Sequence, residues 1–311
     1  MTVLDFGSLV LGAGGFGDTL DREQSFAILD AFIEAGGQAI DTADAYSVWV
    51  PGHTGGESES ILGDWLASRG TRNRVTIATK VGNKPDRAGL SRENITRAID
   101  ESLVRLRTDR VDLYYAHRDD PDQPQEEVLS AFDELVRAGK VREIGASNFT
   151  ADRLRSAAAI AAREGFTPYA VAQDHYNLVE REPELALLPT IAELGIVEVP
   201  WGGLAHGFLA GAYGQGDAVP PPWTGLVAMY WADARKADLL DLLKDLAAAH
   251  RVSPAAIALA WLAAQPAVAA PVSAALSVQQ LTELLQAASV QLTTGELAQL
   301  SEACAPIPKT S

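Results

Sequence analysis

The stretch VTIATKVGNKPDRAGLSRENITRAIDESLVRLRTDRVDLYYAH, residues 75–117, reads as strand, helix and strand in succession. Val75 to Thr79 and Val111 to Tyr115 are short apolar runs carrying β-branched residues, the mark of strands. Between them Ser91 precedes Ile95, Ile99, Leu103 and Leu106, an apolar stripe of helical period. A helical crossover of this length is what two parallel strands require.

The alternation extends in both directions. Leu9-Val10-Leu11 and Ala39-Ile40-Asp41 read as strands upstream; Ile144-Gly145-Ala146, Ala170-Val171-Ala172, Ile196 to Val199 and Val268 to Pro271 do so downstream. That predicts eight strands. Asp21 and Gln24 have capping-box spacing ahead of Phe26, Leu29, Phe32 and Ile33, and Gly36-Gly37 ends that helix. Ile61, Leu62, Trp65 and Leu66 run to Gly70, and Val128, Phe132, Leu135 and Val136 run to Gly139. Helices are also predicted over Leu188 to Leu194, Asp238 to His250 and Val278 to Ala287, and from Ser253-Pro254 onward with Pro at the first helical position. No linker or composition shift interrupts the series, so residues 1–311 are expected to form one domain. The expected fold is α/β, a (β/α)8 TIM barrel with a short N-terminal segment before the first barrel strand.

Composition narrows the function. The 25 Lys and Arg against 41 Asp and Glu give a formal net charge of −16, which repels phosphate backbones and anionic lipid headgroups. Nucleic acid and membrane surfaces are therefore poor partners. Cys304 is the single cysteine, so no internal disulfide can form and a reducing, cytoplasmic setting is expected. Met1 to Leu20 carries no basic residue leading into an apolar stretch, as a secretion signal would. Ala255 to Ala264 is only about half the ~20 residues that cross a bilayer, and it reads as a buried helix.

Active sites of such barrels lie on the loops after the strands, so polar residues at strand C-terminal ends are the ones to inspect. Those ends carry Asp41 and Tyr46 after the second strand, Lys80 after the third and His117 after the fourth. Carbonyl reduction suits this set, because a hydride arriving at carbon leaves an alkoxide that needs a proton. A free phenol, pKa ~10, is a sluggish donor, and a neighbouring Lys80 ammonium is expected to lower it. Asp41 would keep Lys80 charged and oriented, and His117 would bond the substrate oxygen or Tyr46. Taken singly, a strand-end Asp is more often a cap or salt-bridge partner, and a lone Lys or His a solvated residue. Their placement after successive strands favours chemistry.

The segment from Ile40 to Tyr46, with Gly55-Gly56-Glu57-Ser58-Glu59 and Leu62-Gly63, resembles the part of aldo/keto reductases that carries their catalytic Asp and Tyr. Ala78-Thr79-Lys80, Asp112 to His117 and Gly145 to Phe149 are similar to the next three strand ends of that family, in order and spacing over Gly12 to Leu300. The resemblance implies a nicotinamide-dependent oxidoreductase acting on a small-molecule carbonyl or sugar-like substrate. In it Tyr46 is the general acid/base, Lys80 and Asp41 tune it, and His117 steers the carbonyl. It further implies that Ser147, Asn148 and Gln173 hold the nicotinamide carboxamide and that Trp201 stacks on the nicotinamide where the family usually has Tyr. Gly202 and Leu204 fall in the loop at the cofactor phosphates. Gly15 and Phe16 would lie near the nicotinamide ribose and the substrate, with Asp41 also touching the cofactor.

Two departures matter. After the eighth strand the family commonly reads Gly-Ala-Arg-Ser, whereas this chain reads Ala274-Ala275-Leu276-Ser277, with Gln280 and Glu283 following. The Arg expected to grip the 2′-phosphate of NADPH is missing. A charge-assisted bond is worth ~1.5–3 kcal/mol, so its loss erodes preference for the phosphorylated cofactor by about one to two decades and opens the site to NADH. The second departure is the insert Ser47 to Thr54, directly after Tyr46, which is expected to shape the substrate pocket with Trp49. Trp223 is a further candidate wall; rim packing explains such aromatics equally well.

Three rivals compete. Gly12-Ala13-Gly14-Gly15-Phe16-Gly17 satisfies G-x-G-x-x-G after a strand, but Asp18-Thr19-Leu20 separate it from the helix, so a phosphate would miss the helix N-terminus. A redox-inactive barrel serving as a binding or regulatory subunit would have no use for a tuned acid. A metal hydrolase lacks support, since His53, His117, His175, His206 and His250 include no H-x-H or H-E-x-x-H pair, and no metal is expected. Substrate identity, reaction direction and oligomeric state stay open at this level.

Overall fold

The structure, a computed structural model, describes residues 4–219 and 224–306. Its strands are β1 (Val10–Gly12), β2 (Ala39–Asp41), β3 (Thr76–Val81), β4 (Val111–Ala116), β5 (Val141–Ser147), β6 (Val171–Gln173), β7 (Val197–Glu198) and β8 (Val272–Ser273). All pair in parallel, in the order β7-β6-β5-β4-β3-β2-β1-β8. The two ends of that order also meet: Glu198 N donates to Ala267 O (2.7 Å), Ala269 N to Glu198 O (2.7 Å) and Val272 N to Pro200 O (2.8 Å). The sheet thereby closes into the barrel that the alternating sequence predicts.

The eighth strand departs from expectation. Val268 makes only an isolated bridge to Glu198, and the ladder with β1 begins at Val272. Prolines are the cause: Pro266 and Pro271 lack an N–H, and Pro271 contributes its carbonyl alone, to Val10 N at 2.9 Å.

Helices α1 (Arg22–Glu34), α2 (Glu57–Arg69), α3 (Arg92–Leu106), α4 (Gln125–Arg137), α5 (Ala151–Glu164) and α6 (Leu187–Leu194) link the strands up to β7. Between β7 and β8 come α7 (Thr224–Trp231), α8 (Ala234–His250) and α9 (Pro254–Ala263), and α10 (Val278–Leu285) and α11 (Thr294–Ala303) follow β8. The Asp21–Gln24 capping box, the Ser91 and Ser253 caps and Pro254 at the start of α9 are all present. Helix α8 begins four residues before Asp238, capped by Asp233, and α10 gives way after Leu285 to a 3₁₀ turn at 286–289. Helices α5, α7 and α11 are additional to the helices named from the sequence, although Thr150 caps α5 and Thr293 and Glu296 form a capping box ahead of α11. No single helix among the described residues is long and apolar enough to cross a membrane.

The core has two parts. Between strands and helices lies a continuous apolar layer that includes Trp65, Tyr114, Phe132 and Trp261. Inside the barrel a smaller cluster holds Val10, Ala78, Leu113, Tyr115, Val171 and Val272, with Leu4 and Phe6 of the N-terminal segment packed into it. Alternation along β3 sends Ala78 inward and Ile77 outward, which places Lys80 on the inward face one pleat nearer the mouth. Gly145 on β5 makes room for Tyr115, since a Cβ there would lie 2.4 Å from the Tyr115 ring.

Helices α2 and α3 pack closest at Gly63, where a Cβ would sit 2.0 Å from the Arg105 carbonyl oxygen. Helix propensity alone favours Ala over Gly by about 1 kcal/mol, while forcing a backbone contact apart costs about 1–3 kcal/mol. Gly63→Ala is therefore expected to destabilise the protein by up to about 2 kcal/mol, seen as a lower urea midpoint at unchanged m. A raised midpoint would mean that propensity wins at this contact.

Candidate active site

Asp41 is the last residue of β2, and Lys80 lies level with Tyr115 on the neighbouring strand. Lys80 and Asp41 are 1% and 2% exposed and form an ion pair, Nζ to Oδ2. The same ammonium donates to Thr42 O (2.9 Å) and to the Tyr46 hydroxyl (3.0 Å), so all three of its donors are used. Tyr46 Oη in turn donates to Asp41 Oδ2 at 3.3 Å, and Gln173 Nε2 donates to Asp41 Oδ1 at 3.0 Å. The His117 ring stands edge-on to Tyr46, centroids 6.1 Å apart, and its Nδ1 is buried without a partner among the described residues. The four strand-end groups singled out in the sequence are thus brought together.

Their electrostatics differ in one respect from expectation. Burial pulls the Lys80 pKa down, but Asp41 and Tyr46 outweigh it, and the group is held above its ordinary range as a firm cation. Tyr46 is also shifted up, not down: desolvation raises it, Lys80 opposes, and the Asp41 charge adds to the rise. The phenol therefore keeps its proton at neutral pH. His117 is pushed well below the usual imidazole value by burial first, then by Lys80 and Arg118. It is a neutral imidazole able to donate one hydrogen bond.

On the far side of the mouth, Ser147 and Gln173 end β5 and β6, and Asn148 follows in a left-handed conformation (φ 58°) that Asn tolerates. Asn148 Nδ2 donates to His117 O (3.0 Å) and Ser147 Oγ (2.9 Å), and its Oδ1 accepts from Trp201 Nε1 (3.3 Å). One face of Trp201 is stacked on His175, 4.2 Å between centroids. Gly202, at φ 71°, must be glycine, since a Cβ would come within 2.6 Å of His175. Leu204 starts the turn at 205–207 and packs its side chain on the core. Two residues missed in the sequence reading support this side. His175 backs the indole, and Asp174, whose backbone N–H donates to Glu198 Oε1 (2.8 Å), has its carboxyl pushed up to about 7 by burial, with the backbone N–H groups of Asn148 and Phe149 opposing the rise. Asp174 directly follows Gln173, which was the available signal.

Other expected residues lie differently. The Phe16 ring is 1% exposed and turned into the core, so it does not line the mouth; its carbonyl accepts from Ser47 Oγ at 3.3 Å. Gly15 adjoins Leu276, whose side chain is 54% exposed. Ser277 Oγ caps α10 through Gln280 N (3.1 Å), Gln280 Oε1 accepts from Leu276 N (2.8 Å), and Glu283 accepts from Gln279 (3.2 Å). These three groups organise the start of α10, and no cation lies on residues 274–280. Trp49 is exposed, bonded to Asp18 (2.8 Å), with its ring 6.3 Å from Tyr46. Trp223 lies outside the described residues.

Residues 8–305 match the Aldo/keto reductase family. The chain is 35% identical over 307 residues to an uncharacterized oxidoreductase, YrpG, of Bacillus subtilis, covering 94% of this chain and 90% of that one. It is 30% identical over 334 residues to a versiconal hemiacetal acetate reductase of Aspergillus parasiticus, covering 97% and 95%. It is 30% identical over 295 residues to an aldo-keto reductase of Schizosaccharomyces pombe, yakc, whose name carries NADP(+), covering 91% and 83%.

A buried polar network holds the Tyr46 loop from behind. Glu59 of α2 accepts from Thr79 Oγ1 (2.6 Å) and Arg105 Nε (2.7 Å), and Gly56 N donates to Tyr46 O (3.2 Å). Asp44 is buried beside Glu59, and its carboxyl is pushed up to about 7 by burial and then by that like charge. Its folded pKa thus exceeds the unfolded value, and the folded state holds more protons between about pH 4 and 7. Stability falls as pH rises through that window. In Asp44→Asn the difference in unfolding free energy between pH 5 and 8 should shrink by about 1–3 kcal/mol, measured in urea; an unchanged pH profile would contradict the buried, protonated carboxyl.

Proposed function

The chain belongs to the aldo/keto reductase family, and from that premise we propose that it reduces a small aldehyde or ketone with NAD(P)H, using Tyr46 as the general acid. It is an oxidoreductase of carbonyl compounds. The observation that carries the finer reading is the shared contact of Lys80 with both Asp41 and the Tyr46 hydroxyl, beside a neutral His117. No binding subunit needs such a set.

A nicotinamide, when bound, supplies the hydride for the carbonyl carbon. The donor set suits it: a hydroxyl, two amides and an indole face converge at Ser147, Asn148, Gln173 and Trp201 beside Tyr46 and Asp41. The substrate oxygen would sit between Tyr46 Oη and the His117 ring, where the neutral imidazole donates a hydrogen bond and aims the carbonyl. As negative charge grows on that oxygen, Tyr46 gives up its proton. An alkoxide is a stronger base than a phenolate, so the transfer runs downhill even from a phenol held above its ordinary range. Lys80 then stabilises the phenolate through its 3.0 Å contact. Asp41, tied down by Gln173, keeps Lys80 charged and aimed. Trp49 and the insert that carries it edge the substrate side. The lone Cys304, which rules out an internal disulfide, accords with a cytoplasmic setting.

Cofactor choice follows from the start of α10. Family membership favours NADPH, but Leu276 takes the place of the Arg in the family's usual Gly-Ala-Arg-Ser pattern, and the missing cation supports NADH as an alternative. Titration of intrinsic fluorescence with either reduced nucleotide tests the reading at its root: quenching by neither removes it.

Tyr46→Phe should lower kcat by about three orders of magnitude or more while leaving nucleotide affinity within a few fold, since only the proton donor is lost. Turnover within a few fold of wild type would contradict the assignment. Leu276→Arg should shift the ratio of kcat/KM with NADPH to that with NADH about tenfold or more towards NADPH, and an unmoved ratio would place the phosphate elsewhere.

A further inference from the structure

Outside the catalytic mouth, a cleft opens between the first turn of α2 and the loop from β3 to α3. Its walls include His53, Gly55, Gly56, Glu57, Lys84 and Arg105. Lys84 is only 7% exposed, yet its amine makes no hydrogen bond or ion pair with any described residue. The Lys84 side chain runs along the cleft wall, with Cε 3.4 Å from where a Cβ on Gly55 would lie. Asp44 acts on it only at longer range; that carboxyl lies 4.0 Å from Arg87 and, being pushed up to about 7, is only partly ionised at neutral pH. Arg105, by contrast, is committed to Glu59 and Glu101. The stem of Lys84 is buried while its ammonium lines the cleft without a protein acceptor among the described residues, and the ligand that complements such a cation is an anion.

The rest of the wall sharpens the chemistry. Helix α2 has 13 residues and starts at Gly56 with no side-chain cap, so the N–H groups of its first turn face outward with the positive end of the helix dipole. Glu57 Oε1 accepts from Thr54 N at 2.9 Å, but Oε2 is buried with no partner among the described residues, as is Nδ1 of His53. A carboxylate in the wall repels a bare anion and can only accept a hydrogen bond. The group that satisfies both Lys84 and Glu57 therefore accepts on one side and donates an O–H on the other.

We propose that this cleft is a binding site for a protonated phosphate group, gripped by Lys84 and the first turn of α2 and read by Glu57 through its P–OH. The site adjoins the catalytic loop, because Gly56 N donates to the carbonyl of Tyr46 at 3.2 Å.

Calorimetric titration of the full chain with inorganic phosphate and with sulfate, at a pH near 6 where phosphate retains a proton and sulfate has none, tests this without reference to turnover. Phosphate should bind at least tenfold more tightly than sulfate. Lys84→Met should weaken phosphate at least tenfold, with nucleotide-induced fluorescence quenching unchanged as a check on folding, and Lys84→Arg should retain binding. Glu57→Gln, which keeps the Oε1 acceptor, should bring sulfate to within a few fold of phosphate. No phosphate binding in the wild type at tens of millimolar, equal affinity for phosphate and sulfate, or undiminished binding in Lys84→Met would each overturn the site. Two sources of the phosphate separate kinetically. If inorganic phosphate competes with a phosphorylated aldehyde but not with its unphosphorylated form, the cleft holds the substrate's own phosphate; if it competes with neither, the ligand is a separate phosphate compound.

Discussion

Two opposite charges, Lys80 and Asp41, are held almost wholly out of water at the end of neighbouring strands. Taking either alone into that environment would cost several kcal/mol, so each is stable there only because the other, and the groups around them, complete its hydrogen bonds. Thr42, Tyr46 and Gln173 supply those bonds. The pair is thus as much a constraint on the fold as a feature of the site: it ties β2, β3 and β6 across the mouth of the barrel. Any reaction at this mouth begins from a fixed cation and a fixed phenol.

Barrel geometry makes the pairing possible. Alternation along parallel strands directs every second side chain inward, and the inward positions fill with apolar residues from the N-terminal segment up to Leu113 and Tyr115. At the strand ends the same alternation delivers Asp41, Lys80 and Gln173 instead. Gly145 illustrates the tolerance involved, since a single methyl there would collide with Tyr115, the residue level with Lys80. Behind the Tyr46 loop the Glu59, Thr79 and Arg105 bonds serve the same end, fixing a loop that has no regular structure of its own.

The mouth is asymmetric in rigidity and charge. Its nicotinamide-facing side, as proposed, is a closed set of bonds running from His117 through Asn148 to Trp201, with Asp174 and His175 beneath. Its α10 side is organised chiefly by its own helix cap and presents Leu276 to solvent. On the proposed reading, chemistry and cofactor selection are therefore separable: the first would depend on groups locked into the barrel, the second on an exposed loop where substitution disturbs little.

Residues 75–117 and their neighbours carried the fold, because buried parallel strands and amphipathic crossovers leave periodic patterns that survive without tertiary information. The four strand-end groups were legible for the same reason: a barrel converts position after a strand into position at the mouth. The resemblance to aldo/keto reductases added the cofactor side. What the chain order could not convey was the sum of competing effects at one atom. Lys80 was expected to lower the Tyr46 pKa, and only the packed structure decides that burial and Asp41 outweigh it. Phe16 was assigned to the mouth by its place in a loop, but its ring turns into the core, a choice made by contacts distant in sequence. Asp174, His175 and the solitary amine of Lys84 went unread for the same physical reason, since burial and the absence of a partner are properties of the surroundings and not of the residue.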